Sequence, residues 1–380
     1  MADPERRRSR PPLSGTRIVE FGGIGPGPFG TMILADMGAD VLRIDRPGFS
    51  AMAPDNVLLR GRRRLEADLK SPVDRDKVLG LCDNADVVIE GFRPGVMERL
   101  GLGPEECLER NPGLVYARMT GWGQYGPYSN VAGHDINYLA IAGVLDTIGR
   151  SGEAPVVPLN YVADYGGGGM FLVAGVLAAL VDRSVSGLGQ VVDVAMVDGS
   201  ALFLSDVLSR YHQGRWIPER GSNPYDSGAP YYDVYRTLDG KYMAVGAIEA
   251  QFYRALLAGL GLMDIDPSLQ EERSAWAETR RRVSDAFASR TQAEWSSVFA
   301  EVEACVTPVV PFTRLAEEPH LAERRSYQAV DGTVQPGVAP RFSRSQGRAG
   351  GPVVETDLDE AYAEWTGSGP ADRGLHTPEA

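Results

Sequence analysis

Four histidines occur in the 380 residues, and one has neighbours suited to acid/base chemistry. His134 lies in AGHDINYLAIAGV, among glycine, small and apolar residues. His320 (EEPHLAERR) and His376 stand in polar segments, and His212 (RYHQGRW) reads as a helix end. A neutral imidazole can take a proton near neutral pH and return it. The same setting also suits a buried, hydrogen-bonded core histidine, and spacing alone leans that way. Asp164, in NYVADYGGGGMFLVAG, precedes four consecutive glycines. It reads either as a helix N-cap or as a second acid/base group. A cap needs one glycine at most, and the run at 166–169 costs helix stability. The run therefore implies something bulky against the backbone, beside free N–H groups that suit a developing oxyanion. Glu249, in AVGAIEAQFY, reads as a surface acid opening a helix or as a carboxylate that fixes a histidine tautomer.

Other chemistries find less support. Cys82, Cys107 and Cys305 are scattered, with no CxxC or Cys/His spacing for zinc, and read as buried, inert thiols of a reducing compartment. No metal ligand set is expected. The formal net charge of −13 repels nucleic acid and anionic lipid, although a local cluster of Arg or Lys can still hold an anionic small molecule. The start, MADPERRRSRPPLSG, lacks an apolar signal core and reads as a frayed tail, so a cytoplasmic location is expected. The sequence shows no uninterrupted apolar stretch of about 20 residues, so no membrane-spanning helix is expected. HTPEA at the end is no peroxisomal address.

The positioning elements follow from hydrophobic pattern. TRIVEF (16–21) reads as a strand, FGTMILADMGA as a helix and DVLRID (40–45) as a second strand, a βαβ unit that implies an α/β fold with a parallel sheet. DVVIEGF (86–92) and LVYARMT (114–120) read as further strands, MFLVAGVLAALVDRS as an apolar helix, and GQVVDVAMVDGSALF as a strand leading into a helix. Residues 216–230, rich in Gly, Ser, Asn and Pro, suggest a linker. YYDVYRTLDGKYMAVGAI signals a β-hairpin turning at Asp239 and Gly240, and VTPVVPF an edge strand. The chain after about 345 reads as partly ordered. Gly25, Gly27 and Gly30 match GxGxxG with Asp45 after the second strand, the spacing of a nicotinamide reductase. Pro26 and Pro28, however, remove two N–H donors from that loop, and Arg46-Pro47 follows the acid. The loop is read as a tight strand-to-helix turn, with the reductase kept as an alternative.

GHDINY, DYGGGGMFL, VDVAMVDG, GAPYYD and VGAIEAQFY, in that order, with MTGWGQYGP and FRPGVMERLGLGP, resemble the α-methylacyl-CoA racemases, a branch of the family III CoA-transferase superfamily. The resemblance runs from about Leu13 to about Ser345. It implies an interlocked homodimer, each chain having a Rossmann-like large α/β domain and a smaller α+β domain. The active site would lie between the large domain of one subunit and the small domain of the other. The expected division is a tail 1–12, a CoA-binding domain 13–215, a linker 216–230, a small domain 231–325, a return segment 326–365 on the large domain, and a tail 366–380.

The resemblance assigns His134 and Asp164 as the acid/base pair, Glu249 as support for the histidine and Asp135 as conformational support. For CoA it points to Arg46, to Ala67, Asp68, Leu69 and Lys70, to Gly91, Phe92 and Arg93, and to Arg99. Gly133, Ile136, Asn137 and Tyr138 would line the thioester end. Arg62–Arg64 stay open between phosphate contact and exposed face. The implied reaction inverts C2 of a 2-methylacyl-CoA thioester through an enolate. It needs no metal or redox cofactor, since CoA is part of the substrate. Transferases of the superfamily use an aspartate at the Asp164 position as nucleophile, forming an anhydride, and lack the histidine. His134 therefore decides for racemisation over transfer. An inactive acyl-CoA-binding protein ranks last, because every acid/base residue is present.

Overall fold

The computed structural model describes residues 10–49, 52–330 and 332–367; His376 and most of both expected tails lie outside them. The chain divides into two bodies, one of Met1–Ala142, Leu159–Leu202 and Glu323–Ala380, the other of Gly143–Pro158 and Phe203–Ala322.

The first body is built on a seven-stranded sheet with every neighbouring pair parallel. Its strands are β1 (Arg17–Phe21), β2 (Asp40–Asp45), β3 (Arg62–Glu66), β4 (Val87–Glu90), β5 (Val115–Thr120), β6 (Val191–Ala195) and the short return strand β12 (Val354–Glu355), which follows a separate antiparallel pair, β10 (Tyr327–Val330) and β11 (Thr333–Pro336). Their order is β12-β3-β2-β1-β4-β5-β6, so the winding reverses between β1 and β4. Helices α1 (Pro26–Asp36), α2 (Pro72–Asp83), α3 (Val96–Arg99), α4 (Pro104–Arg110), α5 (Asp135–Ile141), α6 (Phe171–Ser186) and α7 (Met196–Ala201) belong to the same body. Strands covered on both faces read as continuous apolar runs, which is why β1, β2, β4 and β5 are legible. The two prolines that count against a pyrophosphate loop instead open α1 at its first turn, where their missing N–H groups cost nothing.

β3 (RRRLE) breaks the apolar rule. Arg62 is buried and paired with Glu20 at 2.5 Å. Arg63 holds Asp40 at 3.0 Å and Glu364 at 2.8 Å, and Arg64 holds Asp45 at 2.7 Å and Glu355 at 2.9 Å. The basic run at 62–64 is therefore a sheet strand bound by acids, neither a phosphate contact nor a solvated face. Fully buried Arg43 completes the network, with Glu20 at 3.3 Å and Asp45 at 3.1 Å. Such charges are tolerated in a core only when paired. Asp45, the acid of the nicotinamide motif, is thus committed to arginines.

Two further expectations are corrected, on the terminal segment and on Cys305, and one helix is longer than the apolar count suggests. The segment after 345 contributes β12 and a helix, Leu358–Thr366, whose Leu358, Ala361 and Trp365 enter the core against α2. Cys82 and Cys107 are buried, but Cys305 is exposed. Tyr161–Ser186 forms one helical stretch of 26 residues, long and apolar enough by composition to cross a membrane. The run escapes a simple apolar count because Asp164 interrupts it near one end and Asp182 and Arg183 near the other.

The second body carries an antiparallel sheet, β7 (Tyr232–Arg236), β8 (Tyr242–Gly246) and β9 (Val306–Pro308), with β9 at one edge. Gly240 turns the hairpin at φ +75°. Helices α9 (Ala250–Leu260), α10 (Arg273–Ala288) and α11 (Gln292–Ala300) pack with it around Tyr231, Tyr235, Phe287, Trp295 and Phe299, while α8 (Ser205–His212) of the same body buries no side chain. The Gly- and Pro-rich segment at 216–230 is folded into this body: Asn223 and Ala229 are fully buried, and Asp226 gathers four backbone N–H groups.

Candidate active site

In a parallel sheet, ligands bind at the carboxyl edge where the winding reverses. A cavity of about 520 Å³ opens at that point, walled by the loops after β1, β4 and β5 and by His134, Tyr138, Asp164 and Met196. Beside it, at the ends of β2 and β3, lies a second cavity of about 360 Å³ lined by Arg46, Phe49, Ala67, Asp68, Leu69 and Lys70 among others. Phe21, Gly22 and Phe92 belong to both walls, so they form the waist between the two.

His134 is exposed and occupies the N-cap of α5, so the core-histidine reading fails. Its backbone is fixed on both sides: its N–H donates to Asn137 Oδ1 at 3.0 Å, and its carbonyl accepts from Asn137 N–H at 2.8 Å. His134 also lines the first cavity. The hydroxyl of Tyr138 donates to the Gly133 carbonyl, which anchors the residue just before the histidine. Gly121 is obligatory there, because a Cβ would lie 2.1 Å from the Tyr138 ring. Burial, with Asp164 and Asp135 nearby, pushes the Tyr138 phenol up to about 12, so it stays a donor.

Asp164 does not begin a helix. It sits inside a ten-residue π-helix, Tyr161–Met170, that runs directly into α6. Such segments are uncommon and cluster at functional sites. The wider turn accompanies close packing. A Cβ on Gly167 would lie 2.7 Å from Ser200 Oγ, one on Gly168 2.8 Å from Met196, and one on Gly169 2.6 Å from Phe29. The bulk that the glycine run implies is therefore supplied by α1 and α7. The expected oxyanion site at the Asp164 backbone is corrected too. The N–H groups of Ala163 and Asp164 both donate to Asp135 Oδ2 at 2.8 Å.

That double acceptance gives Asp135 a physical role, locking the backbone of one acid/base candidate from the residue next to the other. Its second oxygen is buried without a partner. Burial pushes the Asp135 carboxyl up, against the pull of those two N–H groups. Burial likewise pushes Asp164 up, with Asp135 adding to it and the Asn160 amide (3.2 Å) and His134 opposing. The Asp164 carboxyl also rests on the loop after β1: a Cβ on Gly25 would lie 2.9 Å from Asp164 Oδ2.

Among the residues expected to hold CoA, Arg46, Ala67, Asp68, Leu69 and Lys70 line the second cavity, and Gly91, Phe92, Arg93, Gly133 and Tyr138 the first. The Arg46 guanidinium lies 4.9 Å from the Phe49 ring centre. Ile136, Asn137 and Arg99 line neither cavity. Asn137 instead caps the His134 turn, and Arg99 ends α3. Glu249 stands exposed in the second body, at the N-cap of α9. Sequence reasoning missed Glu20 and Glu90, both 1% exposed and both in the floor of the first cavity. Neither gives a signal beyond an acid in the last two residues of an apolar strand. No cluster of potential metal ligands occurs among the described residues.

The chain is 48% identical over 335 residues to a mouse α-methylacyl-CoA racemase, covering 88% of this chain and 87% of that protein. It is 46% identical over 329 residues to the human protein of the same name, covering 86% of each. Among solved structures, the Rv3272 protein of M. tuberculosis superimposes with a TM-score of 0.77 at 27% identity, covering 93% of this chain and 99% of that one. A CAIB/BAIF family protein from Brucella suis does so with the same TM-score at 23% identity, over 94% and 99%, and so shares the fold. The model of CoA-transferase family III matches residues 13–357, and the chain belongs to that family.

Proposed function

We propose that the chain is a racemase that inverts C2 of 2-methylacyl-CoA thioesters. One observation carries the reading: an exposed imidazole, His134, and a partly buried carboxyl, Asp164, line one cavity at the switch point of the sheet. The relatives at 46–48% identity named as racemases support it. His134 takes the C2 proton from one face, leaving an enolate. Asp164, whose burial favours the protonated carboxyl, delivers a proton to the other face. In the reverse direction the roles exchange. Proton transfer alone leaves the oxidation state of C2 unchanged, so the chemistry asks for no redox cofactor.

The second cavity suits the nucleotide end of CoA. Its apolar wall of Ile44, Phe49, Leu69 and Leu100 can hold a purine, while Arg46 and Lys70 supply local positive charge on an acidic protein. We further propose that the chain works as a homodimer. Met170, Val181 and Val185 leave an apolar strip of the 161–186 helical stretch exposed, suited to a second copy. Glu249 of that copy would then orient the imidazole of His134.

The reading is tested with one enantiomer of a 2-methylacyl-CoA in D₂O, with and without an added carboxylate. A racemase places deuterium at C2 and brings the two C2 epimers to a near-equal mixture whether or not the carboxylate is present. A family transferase using Asp164 as nucleophile would move CoA to the carboxylate and leave C2 untouched, which would refute the proposal.

A further inference from the structure

Glu90, the last residue of β4, has a carboxylate that the proposed proton transfers do not use. It is 1% exposed, deep in the floor of the first cavity. One oxygen accepts the backbone N–H of Phe92, two residues on, at 2.6 Å. The other accepts Arg118 Nε at 2.8 Å, and Arg118 is itself held by Glu98 at 2.7 Å. The carboxylate therefore ties the loop after β4 to β5. The intervening Gly91 lies against the same strand, since a Cβ there would come within 3.1 Å of the Met119 carbonyl. Phe92 is one of three residues common to both cavity walls. Any ligand that fills both cavities must pass beside it.

We infer that Glu90 is a positioning residue for CoA ligands, holding the Phe92 backbone so that the waist between the two cavities stays open at one fixed width. The inference rests on the CoA-thioester reading above. It separates ligands that span the waist from ligands that do not. CoA reaches from the nucleotide cavity into the thioester cavity, whereas adenosine 3′,5′-bisphosphate occupies the nucleotide side alone.

The test uses Glu90→Gln in the full chain. A glutamine has one acceptor oxygen where the carboxylate offers two, so Arg118 and Phe92 compete for it and the clamp on Phe92 is lost. Loss of one charge-assisted hydrogen bond at the waist should weaken CoA about tenfold relative to the bisphosphate, read as the ratio of their Kd values by calorimetry. Adding Arg118→Met frees the glutamine oxygen for Phe92, so the double variant should bring the ratio back towards that of the original chain. An unchanged ratio in E90Q, an equal loss for both ligands, or no recovery in the double variant overturns the inference. Should E90Q fail to fold, the double variant, which leaves no arginine facing the uncharged amide at position 90, must still keep the original ratio, and any other ratio overturns it. Binding needs no turnover, so a chain that shows the ratio shift but racemises nothing would retain this inference and lose the functional reading. A chain that binds no CoA would lose both.

Discussion

Gly25→Ala isolates what places Asp164. Gly25 is the N-cap of α1 with φ +66° and ψ −117°, a conformation L side chains scarcely adopt. Alanine there should cost roughly 1–3 kcal/mol of backbone strain. The new methyl would also stand 2.9 Å from Asp164 Oδ2, where ordinary contact begins at 3.4 Å, so the carboxyl must retreat by about half an ångström. A shift of 1 Å at a reacting group can cost about a hundredfold in rate, so half of that implies a loss on the order of tenfold. Gly261→Ala is the control: φ is +75°, the position caps α9, and nothing lies within 4 Å. It should carry about 1 kcal/mol of strain and leave turnover intact. Both variants would be followed by the rate of deuterium entry at C2 and by urea unfolding. Equal turnover in the two, despite correct folding, would show that the loop after β1 does not position Asp164.

Three further outcomes follow from the same geometry. Asp135→Ala leaves the Ala163 and Asp164 N–H groups without their acceptor; at about 1–3 kcal/mol for each orphaned group, unfolding should ease by several kcal/mol in denaturant and turnover should fall with it. Asp164→Asn should abolish racemisation yet melt higher than the unaltered chain at neutral pH. Folding raises the Asp164 carboxyl, so stability is complete below the unfolded carboxyl range near pH 4 and is lost as pH rises through the folded value; the advantage of the amide variant should vanish at that low pH in a melting series. Tyr138→Phe removes the hydroxyl that holds the Gly133 carbonyl and should cost about 1 kcal/mol in unfolding, with a several-fold lower turnover number from a looser His134 turn.

Strands whose faces are both covered announced themselves as apolar runs, and β1, β2, β4 and β5 stand where the pattern places them, as does the partly exposed edge strand β6. β3 was invisible because, apart from Glu66, the acids that neutralise RRRLE come from positions 20, 40, 45, 355 and 364, and no local window contains them. His134 and Asp164 were legible from residue type and motif, and they do line one cavity. The manner of holding Asp164 was not. Its backbone is locked by an acid 29 positions earlier, and the bulk that the glycine run implies is α1 and α7, which press on Gly167, Gly168 and Gly169. The oxyanion donors expected at that backbone are consumed by the same lock. The terminal helix was masked by its acidic composition, although Leu358, Ala361 and Trp365 keep a helical spacing that buries them.

The account stands on two groups addressing opposite faces of one carbon. The direct measurement follows deuterium entry at C2 separately for each enantiomer of a 2-methylacyl-CoA with His134→Gln and with Asp164→Asn. Each variant should still exchange the enantiomer whose proton faces the surviving group, the two variants should retain opposite enantiomers, and neither should invert the centre. Exchange of the same enantiomer by both, or inversion that persists in either, would contradict it.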